Sequence, residues 1–101
     1  LTARSYEGKG NVLHFEEGLD GTDLRELAGA IAEVCGGMAA VFSGSDESGY
    51  GYCLASHTED LRPMGRQMTA ALSGRGGGKP DFQQGSVKAG KVEIVSFFAS
   101  N

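Results

Sequence analysis

Leu72-Ser73-Gly74-Arg75-Gly76-Gly77-Gly78-Lys79-Pro80-Asp81-Phe82-Gln83-Gln84-Gly85-Ser86 is the stretch on which the rest of the chain turns. Five of its residues are glycines within twelve positions, from 74 to 85. Glycine serves where backbone takes φ > 0, or where a ligand approaches with no Cβ in the way. A run this dense predicts a loop whose backbone N–H groups turn into one concavity. Such a nest favours phosphate or carboxylate, and Arg75 and Lys79 bracket this one with full positive charges. Pro80 disfavours a helical conformation at Lys79, which is therefore expected extended at the exit. The plainer alternative is a connection between two elements with no ligand. A Walker A loop is excluded: Pro80 stands where Ser or Thr must reach Mg²⁺, the glycine spacing is one residue short, and no strand leads in.

The segment just before reads as a helix. Leu61, Met64, Met68, Ala71 and Leu72 recur on one face, Asp60 is a candidate cap, and Pro63 lies near the first position. Arg62 and Arg66, four apart, share an exposed face that aims toward whatever the glycine stretch faces. Further upstream, residues 1–10 show no periodicity and read as a tail or linker, and residues 11–15 are a short apolar run expected as a strand. Thr22 is the expected N-cap of a helix whose apolar face is Leu24, Leu27, Ala28, Ile31, Val34 and Cys35, stopped by Gly36 and Gly37. Residues 38–43 are nearly all apolar, as in a strand buried on both faces. Residues 44–49 have turn composition and residues 50–56 are strand-like, which together predict a hairpin. Strand, helix, strand implies a parallel crossover, hence an α/β domain with a small mixed sheet of about three to five strands packed by helices. Residues 91–98 fit a strand by alternation and a helix by spacing, and local propensity leans to the strand.

The chain has 101 residues, enough for one domain with a real core. With 40% hydrophobic residues, 22% charged and 17 glycines, it has the composition of a loop-rich globular domain. Its longest apolar runs fall far short of the ~18 residues of a membrane span. It opens on Leu1 and carries no signal peptide, as expected of a piece of a longer protein. Cys35 and Cys53 fit a reduced cytosolic compartment at least as well as one disulfide.

The net charge is −4, but it is unevenly distributed. Residues 62–91 hold Arg62, Arg66, Arg75, Lys79, Lys88 and Lys91 against the single acid Asp81, so that this third carries +5 and the remainder −9. A basic stripe on an acidic body still binds polyanions, because nearby charge within a Debye length of about 8 to 10 Å sets the local field. The alternative is a solvated face.

No self-sufficient catalytic constellation is present, which favours a binding module over an enzyme. His14, Cys35, Cys53 and His57 are the only soft ligands, and no CxxC or HxxxH pairs them into a zinc site. Cys53 with His57 as a catalytic dyad lacks an evident orienting third residue. The acidic pairs Glu16-Glu17, Asp46-Glu47 and Glu59-Asp60 all fall in turns.

Gly76, Gly77, Gly78, Lys79, Pro80, Phe82, Gln84 and Gly85 match a glycine triplet, a basic residue, Pro, an apolar residue two further on, then Gln and Gly. The run resembles the signature of the DHH-associated domain (type 1), found at the C-terminus of alanyl-tRNA synthetases and of long-form AlaX editing proteins. The resemblance covers residues 11–101 and moves residues 87–98 to a terminal helix. It implies a cytoplasmic accessory domain, not an enzyme by itself, that binds tRNA(Ala) or other nucleic acid and works with an upstream editing or catalytic domain of the same parent chain. Zinc is then expected only in that separate editing domain, and no cofactor here.

The site the resemblance implies is Arg75, Gly76, Gly77, Gly78 and Lys79 on a phosphate, with Gln84, Arg62, Arg66, Lys88 and Lys91 around it. Gln83 and Gln84 serve equally well to hold the stretch's own shape. Two other roles stay open: the substrate-clamping half of a DHH phosphoesterase, whose glycine triplet is usually followed by His rather than Lys, and a homodimer module built on the terminal helix. The adjacent Phe97 and Phe98 motivate the latter, since neighbours on a helix do not share one face.

Overall fold

Asp20, rather than Thr22, starts the first long helix. In the computed structural model, which describes residues 3–100, the Asp20 side chain accepts from Asp23 N at 2.8 Å while the Asp23 carboxylate accepts from Asp20 N at 3.3 Å. This reciprocal box satisfies two donors that the first helical turn leaves open, a role Thr22, one residue inside the helix, cannot fill. The helix α1 runs Gly21–Cys35 and ends on Gly36, whose φ of 82° is the left-handed cap that a side chain resists. Before it lies strand β1 (Gly10–Phe15), and after it come β2 (Gly36–Ser45) and β3 (Gly49–Ser56). β1 and β2 pair in parallel, β2 and β3 as an antiparallel hairpin, as strand composition and turn residues led one to expect.

The remaining elements are α2 (Arg62–Ala71), β4 (Arg75–Lys79), β5 (Phe82–Val87) and α3 (Lys91–Ser100). Among the described residues the five strands form one mixed sheet in the order β1-β2-β3-β5-β4. Successive strand side chains point to opposite faces, so the central strands supply two cores at once. Ala39 and Val41 of β2 with Cys53 and Ala55 of β3 meet Leu24, Ala28, Ile31 and Cys35 of α1. Met38, Ala40 and Phe42 with Tyr50, Tyr52 and Leu54 meet Leu61, Met68, Leu72 and Ile94, from and around α2 and α3. Each fully buried Leu or Ile in these layers stabilises the fold by roughly 1.5 to 3 kcal/mol.

The glycine stretch is a strand, not a loop. β4 pairs antiparallel with β5, Gly76 opposite Gly85 and Gly78 opposite Gln83. The expected nest does not form, because N–H groups along an extended strand alternate in direction instead of converging. Gly76 and Gly78 serve close packing, while the Cβ position of Gly77 is open. A Cβ on Gly76 would run into the Tyr52 hydroxyl and lie 2.6 Å from Gln84 O, and a Cβ on Gly85 would lie 2.6 Å from Gly76 Cα. The turn at Pro80 and Asp81 closes the hairpin and is pinned from two sides: Leu61 N donates to Pro80 O at 2.7 Å and Ser56 N to Asp81 O at 3.2 Å. Lys79 is extended, as Pro80 requires.

Helix α2 starts at Arg62 with Pro63 in its first turn, but Asp60 is not its cap; Leu61 holds that position, and the Asp60 carboxylate accepts from Arg62 N at 3.0 Å. The terminal segment is a helix, as the family resemblance implied and local propensity did not. It begins at Lys91 rather than Val87, which is committed to the sheet opposite Tyr50. Residues 3–6 also depart from a free tail: they form a 3-10 turn, Ala3–Tyr6, that packs on the α1 side, and the Tyr6 hydroxyl lies 2.8 Å from His14 Nδ1. Leu1 and Thr2, the start of the expected tail, and Asn101 lie outside the described residues.

Candidate nucleic-acid interface

β4 is the last strand of the sheet, and all five of its residues are exposed. An edge strand leaves every other N–H and C=O without a strand partner, and this one presents them along a nearly side-chain-free ribbon. The basic residues flank that ribbon on both faces. On the α2 face, Arg62, Gly65, Arg66 and Thr69 close with Gly76, Gly77, Gly78 and Gln83 around a cleft of about 220 Å³. On the α1 face, Arg25, Gly77, Gly78, Lys79, Phe82 and Gln84 line a cleft of about 430 Å³.

The cations differ in how far they are neutralised. Arg62 is held bidentate by Asp60, with Nη2 donating to Oδ2 at 2.7 Å and Nε to Oδ1 at 3.0 Å. That guanidinium holds the Asp60 carboxyl down at about 2 and cancels much of the charge Arg62 would offer a ligand. Arg66, Arg75, Lys79 and Lys88 make no ion pair among the described residues. Lys88 directly follows Val87, beyond the Arg75 to Ser86 end of the hairpin. Lys91 is turned away from this edge: its ammonium sits 4.8 Å over the Phe15 ring, in a separate cleft with Glu16, Glu17 and Asp46. The basic stripe is thus divided by the fold, because residue 91 opens α3 at the other end of the sheet.

Both glutamines are engaged within the protein. Gln83 is buried, donates to Lys79 O at 2.8 Å and packs where a Gly65 side chain would have to go, so it sets how closely α2 approaches the hairpin. Gln84 donates to Gly21 O at 2.6 Å and accepts from Arg25 Nε and Nη2 at 3.3 and 3.2 Å. Arg25 is the site residue that sequence reasoning missed. It lies 59 positions from Gln84, on a helix surface where an arginine carries no signal of its own.

Other candidate chemistry does not assemble. Cys53 is buried against α1, burial pushes its thiol up to about 12, and His57 lies beyond the end of β3 and is exposed. Cys35 and Cys53 are both free thiols. Among the described residues no three of His, Cys, Asp and Glu converge, and no helix is long and apolar enough to cross a membrane. Phe97 and Phe98 do not separate as expected: both are half-buried against the α2 side of the core as an edge-to-face pair 5.1 Å apart, with Phe98 also against Phe42. Val92 and Val95 are instead the exposed large apolar residues of α3.

Fold and edge together define a small α/β/α sandwich built to present one open, glycine-lined, cation-flanked strand. The chain belongs to the DHHA1 domain family, whose sequence pattern matches residues 8–99. Its fold is similar to the crystal structure of the C-Ala domain of Aquifex aeolicus alanyl-tRNA synthetase, with a TM-score of 0.70 over 87% of each chain at 21% identity. No curated protein sequence matches the chain.

Proposed function

We propose that this is a nucleic-acid-binding accessory domain of an alanyl-tRNA synthetase or AlaX-like editing protein, and that it holds an RNA backbone along the β4 edge. The observation that carries this reading is the exposed glycine ribbon flanked by Arg25, Arg66, Arg75 and Lys79, none of them in an ion pair among the described residues. Phosphate contacts of this kind give affinity and register without sequence choice, so identity of the tRNA is read elsewhere. Zinc and catalysis, on this reading, reside in a separate domain of a cytoplasmic parent protein. The test is the salt dependence of binding to a tRNA(Ala) transcript. The log-log slope is expected to be clearly negative and to shrink by about one to two units in Arg75→Ala with Lys79→Ala. No binding at low salt, or a slope indifferent to both residues, refutes it.

A second reading, assembly through α3, is favoured by Val92 and Val95, which are 78% and 43% exposed on a terminal helix. A monomer in sedimentation at high concentration refutes that one.

A further inference from the structure

We infer that Arg25 and Lys79 form a distinct phosphate subsite on the α1 face of the edge strand, with Gln84 as its positioning residue. This deepens the nucleic-acid reading and rests on it. Gln84 cannot turn its amide freely, because its nitrogen is spent on Gly21 O at 2.6 Å. Its oxygen is thereby fixed toward α1, where it takes Nε and Nη2 of Arg25. A guanidinium has five N–H donors, so two are used to orient the group and the others stay available.

The partner's charge decides what those remaining donors are worth. Asp60 both orients and neutralises Arg62. Gln84 is a neutral amide, so Arg25 is oriented with its charge intact, the arrangement that a bidentate phosphate contact needs. Across the cleft stands Lys79, and none of the six residues lining its 430 Å³ is acidic. Asp23, two residues before Arg25, is turned into the α1 cap and bonds Asp20 N. The floor is the Gly77 backbone, where a Cβ would meet nothing within 4 Å, and Phe82 supplies an apolar wall. A cleft of this size lies in the range that holds a small ligand. Its chemistry selects a phosphodiester of the bound nucleic acid, on the opposite face of β4 from the Arg66 cleft.

The experiment uses the whole chain with tRNA(Ala) transcript over a salt series, followed by fluorescence anisotropy, with circular dichroism confirming that each variant is folded. Arg25→Ala removes the cation. Gln84→Glu keeps an acceptor beside Arg25 but neutralises it. Gly77→Asp sets a carboxylate on the cleft floor where there is open space. Each is expected to weaken binding several-fold at low salt, and Arg25→Ala and Gln84→Glu are expected to reduce the slope by about 0.7 to 0.9, one phosphate's worth. Arg66→Ala reports the other face. If wild type binds and Arg66→Ala alters the slope while all three α1-face variants behave as wild type, this subsite is overturned and the nucleic-acid reading survives. Absence of salt-dependent binding by the wild type overturns both.

Discussion

Replacing Gly76 by alanine tests whether the glycine triplet is there for packing. The added methyl would strike the hydroxyl of Tyr52 and lie 2.6 Å from Gln84 O and 3.0 Å from Tyr52 Cζ. None of these atoms yields cheaply: Gln84 O belongs to the neighbouring strand, and Tyr52 is fully buried between β3 and the helices. Overpacking of this sort costs about 1 to 3 kcal/mol, and two rigid obstacles place Gly76→Ala at about 2 to 3 kcal/mol. Gly77 is the internal control, since nothing lies within 4 Å of its Cβ position; Gly77→Ala is expected within about 0.5 kcal/mol of wild type.

The Tyr52 hydroxyl itself has no hydrogen-bond partner among the described residues. A buried unpaired hydroxyl costs about 1 to 3 kcal/mol, so Tyr52→Phe is expected to be neutral or stabilising. In the Gly76→Ala background it should recover part of the loss, the remainder belonging to Gln84 O. Urea denaturation of the four proteins gives the coupling directly from the shift in midpoint at constant slope. A Gly76→Ala protein as stable as Gly77→Ala, or a double mutant that shows no coupling, refutes the packing account and returns the triplet to a purely conformational role.

Two further outcomes follow from local chemistry. Asp20→Ala removes the N-cap of α1 and is expected to cost about 1 kcal/mol, against less than about 0.5 for Thr22→Ala; equal losses in thermal denaturation would contradict the capping assignment. Asp60 is depressed in the folded protein to about 2 by Arg62, so its contribution to stability is present above its ordinary value of 3.8 and is lost as pH falls from there toward 2. Wild type should therefore lose more stability than Asp60→Asn across that window, and a carboxyl that titrates near 3.8 by NMR would disprove the pairing.

The helix α1 was legible because its period and its terminal glycines agree, and β2 because residues 38–42 are apolar without interruption. The cap shifted to Asp20 because both residues are good cappers and only the return bond from Asp23 separates them. α3 was not legible from propensity, since Val, Ile and Phe suit a strand; it became so through the family pattern, and its start moved because Val87 is claimed by Tyr50. Glycine density predicted a loop, yet a strand whose Gly76 carries no side chain is what fits against Tyr52 and the Gln84 carbonyl of β5, a demand that no local window contains.

The sequence by itself determined the α/β class, the central hairpin, the family and the concentration of basic residues between positions 62 and 91. Those properties are local or additive: hydrophobic period, turn composition, motif order and charge all read along the chain. Tertiary structure alone decided that the triplet is an edge strand, that Lys91 leaves the basic edge while Arg25 joins it, and that Arg62 is neutralised while Arg25 is not. Arg62 finds its carboxylate only two residues away, at Asp60, once the chain turns into α2. The strand pairing of the triplet, the seat of Lys91 over Phe15 and the bond from Arg25 to Gln84 each join groups on different elements, at the short range where orientation is fixed and a charge is cancelled or kept.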